Sequence, residues 1–193
     1  MKLIKQGAEA KIFLDENKII KERTPKNYRI KEIDEKLRFF RTKREAKIIE
    51  KSPINVPKIF STGKEKIEME FIEGDLLKDA FDKLEKNKRT EILKKIGKEI
   101  RKLHDSGIIH GDLTTANIIL KNSEPFFIDF GLGFFSDKEE DKAVDIYLLK
   151  QVIESKHYDL SEEFKHVLEG YIADKSFIRR LGKIESRGRY KNK

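Results

Sequence analysis

The sequence predicts an α+β chain folded as two lobes, and three observations carry that prediction. Short strand-like segments crowd the first quarter, one long helical stretch interrupts them, and beyond Glu73-Gly74 the pattern turns mostly helical with a single small hairpin. Glu73-Gly74 is therefore read as the hinge. On this division the β-rich N-lobe spans about 1–73, a reduced C-lobe about 74–178, and a basic tail about 179–193.

The elements follow in order. Leu3-Ile4, Ala10 to Leu14 and Ile19 to Glu22 read as strands, the last two joined by the turn Asp15-Glu16-Asn17. A helix is expected from about Ile30 to Lys51, with Ile33, Leu37, Phe40, Ile48 and Ile49 among its apolar positions, and Pro53 and Pro57 end it. Pro57 to Ser61 and Ile67 to Ile72 form a second strand pair about the turn Thr62-Gly63. Helices are then expected at Asp75 to Leu84 and at Lys88 to Asp105, where Ile92, Ile96, Ile100 and Leu103 share one face. Asn117 to Leu120 and Pro125 to Ile128 flank Lys121-Asn122-Ser123-Glu124 as a tight hairpin. Helices at about Glu140 to Ser155 and Ser161 to Lys175 precede the basic end.

Composition narrows the function classes. The chain has 193 residues, 40% of them charged; with no cysteine, disulfide and thiolate chemistry are excluded, and with four histidines in no HExxH-type pairing a His-rich zinc site is not expected. No apolar run of about 18 residues is present, so no membrane span is expected, and the N-terminus lacks a signal-peptide pattern. A cytoplasmic globular protein is the expectation. Its charge is uneven: Lys18–Lys51 carries 13 basic and 6 acidic residues, and Lys175–Lys193 carries 8 basic and 1 acidic, on an otherwise acidic body. Two basic segments point to a polyanionic partner such as nucleic acid.

The chemistry resides in His110-Gly111-Asp112-Leu113-Thr114-Thr115-Ala116-Asn117 and Asp129-Phe130-Gly131. Phosphoryl transfer from ATP needs one carboxylate to orient and deprotonate the attacking hydroxyl. It also needs an amide oxygen and a second carboxylate to hold Mg²⁺ against the phosphates. HxDxxxxN followed by DFG resembles the catalytic and metal-binding loops of eukaryotic-type protein kinases. That resemblance implies a minimal bilobal protein-kinase-like fold using ATP and Mg²⁺, with Asp112 as catalytic base, Asn117 and Asp129 as metal ligands, and His110 as a structural buttress. It further implies that Lys21, in Ile19-Ile20-Lys21, pairs with the α- and β-phosphates. The resemblance also implies an ion-pair partner for Lys21 on the long helix, for which Glu45 is the first candidate and Glu50 the alternative. Gln6-Gly7-Ala8-Glu9-Ala10 stands where the Gly-rich phosphate loop belongs, with one glycine in place of three. Met69 would wall the adenine pocket or be ordinary core, and the backbones of Glu70 and Ile72 would bond the purine.

Departures from that pattern narrow the family. Gly111 replaces the usual Arg and Thr114 the usual Lys, only 13 residues separate Gly131 from Asp145, and 48 follow Asp145. With QGAEA, IIKER…YR, RTxxEA, HGDLTTANI, DFGLG, EDKAVD and an Arg-Gly-Arg end, the chain closely resembles the small atypical kinase subunit of the archaeal and eukaryotic KEOPS complex. The resemblance implies serine/threonine autophosphorylation or ATP hydrolysis in support of threonylcarbamoyl-adenosine modification of tRNA. It implies a threonylcarbamoyl-transferase subunit and a small regulatory subunit as partners, and tRNA within the complex. Arg187, Arg189, Lys191 and Lys193 are then candidate tRNA or partner contacts. The rival readings are an aminoglycoside- or choline-type small-molecule kinase, and an ATP-binding scaffold of weak activity.

Overall fold

A computed structural model of the chain describes residues 1–157 and 162–190, with side chains for all of these except 188–190. Five strands build the N-lobe sheet: β1 (Lys2–Gln6), β2 (Ala10–Asp15), β3 (Lys18–Arg23), β4 (Ile59–Thr62) and β5 (Lys66–Glu70). The spatial order is β1-β2-β3-β5-β4 and every pairing is antiparallel. The β2–β3 hairpin turns at Glu16, whose φ of 52° is the left-handed conformation that a tight hairpin requires.

The long helix α1 (Lys31–Lys51) lies against this sheet, but its orientation overturns the expected apolar face. Ile33, Leu37 and Phe40 are exposed, while Asp34, Arg38, Thr42 and Glu45 are buried. The inward charges are tolerated because each has a partner. Arg38 Nε donates to Asp34 Oδ2 at 2.6 Å, Arg29 approaches Asp34 at 3.4 Å, Arg38 also bonds Glu65, and the Thr42 hydroxyl donates to Arg38 O at 2.8 Å. Only the last turns, through Ala46, Ile48 and Ile49, face the core with apolar groups.

After the hinge, the segment expected as one helix is divided. β6 (Asp75–Leu76) pairs with a later strand, α2 (Leu77–Ala80) makes a single turn, and a 3₁₀ turn covers Phe81–Lys83. Gly74 is required at this junction, since a Cβ there would strike Leu120 O. α3 (Lys86–Asp105) presents Ile92, Leu93, Ile96, Ile100 and Leu103 to the core. β7 (Ile108–Ile109) precedes the loop carrying Asp112. β8 (Ile118–Lys121) and β9 (Glu124–Phe127) form the expected hairpin, with left-handed Asn122 and Ser123 at its tip. β10 (Phe134–Phe135) returns to pair with β7.

The C-terminal helices are α4 (Glu139–Lys156), α5 (Lys165–Tyr171) and α6 (Lys175–Tyr190). The helix expected from Ser161 to Lys175 is therefore shorter; its first residue, Ser161, lies outside the described residues. It stops at Ile172, which takes a left-handed φ of 57°. α3 and α5 meet backbone to backbone at Gly97 and Gly170, where a Cβ on either would collide with a carbonyl of the other helix. The basic segment expected as a tail from 179 is instead helix through Tyr190. Phe177, Leu181 and Ile184, spaced four and three apart, dock α6 on the core. One apolar cluster runs from Ile48 and Ile49 of α1 through the C-lobe to these α6 residues.

Candidate functional site

The two lobes leave a cleft whose walls come from β3, α1, the loop after β7 and the turn after β9. The period of two along β3 puts Lys21 and Arg23 on one face, and both are buried. Lys21 Nζ lies 2.6 Å from Glu45 Oε1 and 2.6 Å from Asp129 Oδ1. Glu45 uses its other oxygen for Arg23 Nη2 at 2.5 Å, so one carboxylate of α1 ties two strand-borne cations. Glu50, the alternative partner, is exposed. Burial disfavours the Lys21 charge, yet the carboxylates of Glu45 and Asp129 outweigh it and raise the ammonium above its ordinary range. Burial likewise works against the Asp129 carboxylate, but the Lys21 charge and hydrogen bond prevail and hold its pKa below the usual value. Asp129 adopts φ 64°, an uncommon conformation for a residue with a side chain.

The loop after β7 is fastened from beneath. Asp145 of α4 is 1% exposed; its Oδ2 accepts the His110 N–H at 2.8 Å and its Oδ1 the Gly111 N–H at 2.9 Å. Sequence reading has Asp145 as the last residue of the EDKAVD motif and as a marker of chain length, and misses this anchoring role. Arg23 was missed as well; its place two residues beyond Lys21 was the available signal. His110 Nε2 donates to Ile128 O at 3.1 Å, its Nδ1 accepts the Asp112 N–H at 3.3 Å, and its ring packs on Phe130 with centroids 4.5 Å apart. Full burial pushes the His110 pKa down, so the ring joins the two loops as a neutral buttress. Gly111 is left-handed at φ 79°, and a Cβ there would strike Leu132 O.

Two cavities occupy the cleft. The apolar one, about 290 Å³, is lined by Ile4, Ile12, Ile19, Met69, Ile72 and Ile128 among others, with Glu70 at its edge. Met69 is 7% exposed and also packs on Ala46 and Ile67, so its core and pocket-wall placements coincide. The Glu70 N–H is committed to Lys58 O at 2.9 Å, whereas the Ile72 N–H has no acceptor among the described residues. The second cavity, about 250 Å³, is polar at one end and lined by Gly7, Ala8, Glu9, Ala10, Lys21, Arg23, Arg41, Asp112 and Asp129. Gln6 closes β1 and lines neither cavity. Glu9 is ion-paired to Arg41 at 2.7 Å, and Lys26 bonds Ala8 O, which fastens the one-glycine loop to α1 and the segment after β3.

The residues present fit a hard divalent cation. Asn117 spends its amide hydrogens on Asp112 O and Oδ2, both at 2.9 Å, and its Oδ1 accepts no hydrogen bond among the described residues. All hydrogen bonds to Asp129 there use Oδ1, which leaves Oδ2 open. Two protein oxygens with substrate phosphates and water are the usual Mg²⁺ complement. Of the expected basic contacts, Arg187 is ion-paired with Glu140 at 2.8 Å. The Arg189 side chain, Lys191 and Lys193 lie outside the described residues.

A family model described as the RIO domain matches residues 9–154. The KEOPS complex subunit Bud32 of Pyrococcus abyssi is 45% identical over all of this chain and 98% of its own length. A probable bifunctional tRNA threonylcarbamoyladenosine biosynthesis protein of Methanothermobacter thermautotrophicus is 44% identical over 97% of this chain, which spans only 36% of that protein. Among solved structures, the gentamicin complex of APH(2")-IIa superposes with a TM-score of 0.73, 14% identity, covering 98% of this chain and 81% of that one. The Rio2 kinase–ADP/Mg²⁺-phosphoaspartate complex of Chaetomium thermophilum gives 0.62 with 16% identity, covering 100% and 72%. At such identities these likenesses show the kinase-like fold alone.

Proposed function

Because this chain belongs to the RIO-domain family and, within it, to the Bud32 kinases, we propose that it binds Mg·ATP between its lobes. It then transfers the γ-phosphoryl to a serine or threonine hydroxyl, or to water. The observation that carries this reading is the Lys21 ammonium held at 2.6 Å from both Glu45 and Asp129, three groups drawn from β3, α1 and the turn after β9. That arrangement needs the lobes closed on one another and puts a fixed positive charge at the polar end of the cleft.

On this reading each residue has a task. Met69 and Ile72 flank the purine, with the open Ile72 N–H as a donor to it. Lys21 meets the α- and β-phosphates, and Glu45 keeps it there. Mg²⁺, held by Asn117 and Asp129, would neutralise phosphate charge and orient the γ-phosphoryl group. Asp112 accepts the proton of the attacking hydroxyl. Asn117 bonds one Asp112 oxygen, which leaves the other for that hydroxyl.

The relatives' names support a place in a KEOPS-type assembly serving threonylcarbamoyl-adenosine modification of tRNA. In it the chain would meet a threonylcarbamoyl-transferase subunit, a small regulatory subunit and tRNA. The described residues include no helix long and apolar enough to cross a membrane. Incubating the protein with γ-labelled ATP and Mg²⁺, alone and with the transferase subunit and tRNA, tests the reading. Label on serine or threonine, or released as phosphate, supports it; neither product in either setting overturns it.

A further inference from the structure

Asp145 holds the loop that carries Asp112, and Asp145 is itself held by a buried polar chain ending at the C-terminal helices. His104, near the end of α3, places Nε2 3.2 Å from Asp145 Oδ2 and Nδ1 2.9 Å from the Tyr171 hydroxyl. His104 and Asp145 are each 1% exposed, and Tyr171 2%. The His104 and Tyr171 rings meet edge to face at 5.6 Å, and Tyr171 rests 4.8 Å from Phe177 of α6. Among the described residues the Tyr171 hydroxyl has no other hydrogen-bond partner.

For a neutral imidazole elementary chemistry sets the direction of these bonds, whereas an imidazolium would donate from both nitrogens. The Asp145 carboxylate is an acceptor only and already takes two backbone N–H groups. A neutral His104 must therefore offer it Nε2–H, which leaves Nδ1 bare, and Tyr171 must donate to that nitrogen. The opposite tautomer would aim a lone pair at a buried carboxylate. The hydroxyl of α5 thus selects the tautomer that Asp145 needs.

We propose that Tyr171 and His104 are positioning residues for phosphoryl transfer. Tyr171 fixes the His104 tautomer, His104 fixes the Asp145 carboxylate, and Asp145 fixes the backbone that aims Asp112. The inference rests on the phosphoryl-transfer reading of the cleft. It extends the positioning apparatus to α5, whose Tyr171 lines neither cavity of the cleft, and makes the packing of α6 on Tyr171 part of what keeps the loop in place.

The test uses the full-length protein, Tyr171→Phe, His104→Gln and the double variant. Turnover of Mg·ATP and native-state hydrogen exchange of the His110 and Gly111 amides are measured for each. Tyr171→Phe keeps the ring against Phe177 and removes one buried donor. It should lower kcat about tenfold, leave KM for ATP within about twofold, and speed exchange of both amides by a similar factor to kcat. His104→Gln keeps an N–H toward Asp145 and has no tautomer to set, so adding Tyr171→Phe to it should change neither readout. Should Tyr171→Phe lose its cooperative melt, His104→Asn takes its place. The shorter amide still accepts from Tyr171 but withdraws the donor from Asp145, and the same losses are expected. Wild-type exchange at His110 and Gly111 in Tyr171→Phe would overturn the relay. So would equal losses from Tyr171→Phe in the wild-type and His104→Gln backgrounds. Absence of any turnover by the wild type would instead remove the phosphoryl-transfer reading, and amide exchange would still decide the relay.

Discussion

Asn117 donates both amide hydrogens to one residue, bonding Asp112 through its main-chain oxygen and through Oδ2 at 2.9 Å each. The pair spans the five-residue spacing of the loop and leaves each side chain one free oxygen. A free carboxylate oxygen suits proton acceptance, and a free amide oxygen suits a divalent cation.

Asp112→Asn should therefore lower turnover about a hundredfold while nucleotide affinity stays within a few-fold, since it alters the base and leaves the pocket. Asp129→Ala should abolish Mg-dependent turnover, because the cation loses its carboxylate. Steady-state kinetics with nucleotide binding by calorimetry separates the two effects. Wild-type turnover in Asp112→Asn at saturating metal would refute the assigned base.

Glu45→Ala should destabilise the fold by about 3–5 kcal/mol, because it leaves the buried Arg23 charge with no carboxylate and Lys21 with Asp129 alone. Glu45→Gln should cost less, since its amide oxygen still accepts one of the two bonds. Urea unfolding at neutral pH reads both values, and a loss within about 1 kcal/mol for the alanine variant, the range of an exposed pair, would contradict the buried bridge.

His110 gives a pH signature of definite sign. Its native pKa is depressed by burial, so below the ordinary value of about 6.5 the unfolded chain takes up a proton that the native chain does not. Its contribution to stability should thus fall as pH drops from about 6.5 toward the depressed native value, and be constant above that window. Ring ¹⁵N shifts at about pH 6, inside that window, should show Nε2 protonated and Nδ1 bare. An imidazolium pattern at that pH would show the buttress to be charged.

Gly97→Ala tests the α3–α5 crossing by its sign. In an exposed helix interior the change stabilises by about 1 kcal/mol. Here the new methyl meets Val167 O, so the melting temperature should fall. Gly182→Ala, on α6 with open space around it, is the internal control and should raise it.

How far the molecule could be read from its residues depended on whether a feature is local. Lys21, Glu45, Asp112, Asn117 and Asp129 stand out because their types and spacings are unusual, and the structure draws all five to one cleft. The α1 face could not be read that way. Counting apolar periodicity picks Ile33, Leu37 and Phe40, whereas burial falls on Asp34, Arg38 and Thr42, whose cost is met by partners elsewhere in the chain. The α6 helix was obscured by its six-to-one excess of basic residues, although Phe177, Leu181 and Ile184 already sat at helical spacing. Asp145 could not be assigned because its role depends on two backbone amides 34 and 35 residues away.

The contact between Gly111 and Leu132 makes this loop a fixed part in place of an adjustable one. A phosphate-gripping arginine cannot be installed at 111 by a single codon change: any side chain there would meet both a left-handed backbone and the Leu132 carbonyl. Nearby, the Ser136 hydroxyl is occupied at 2.6 Å by Asp141, so a phosphoryl group on it would face a carboxylate in place of a guanidinium. In circuit terms the chain lacks the input terminal that phosphorylation would drive at this position.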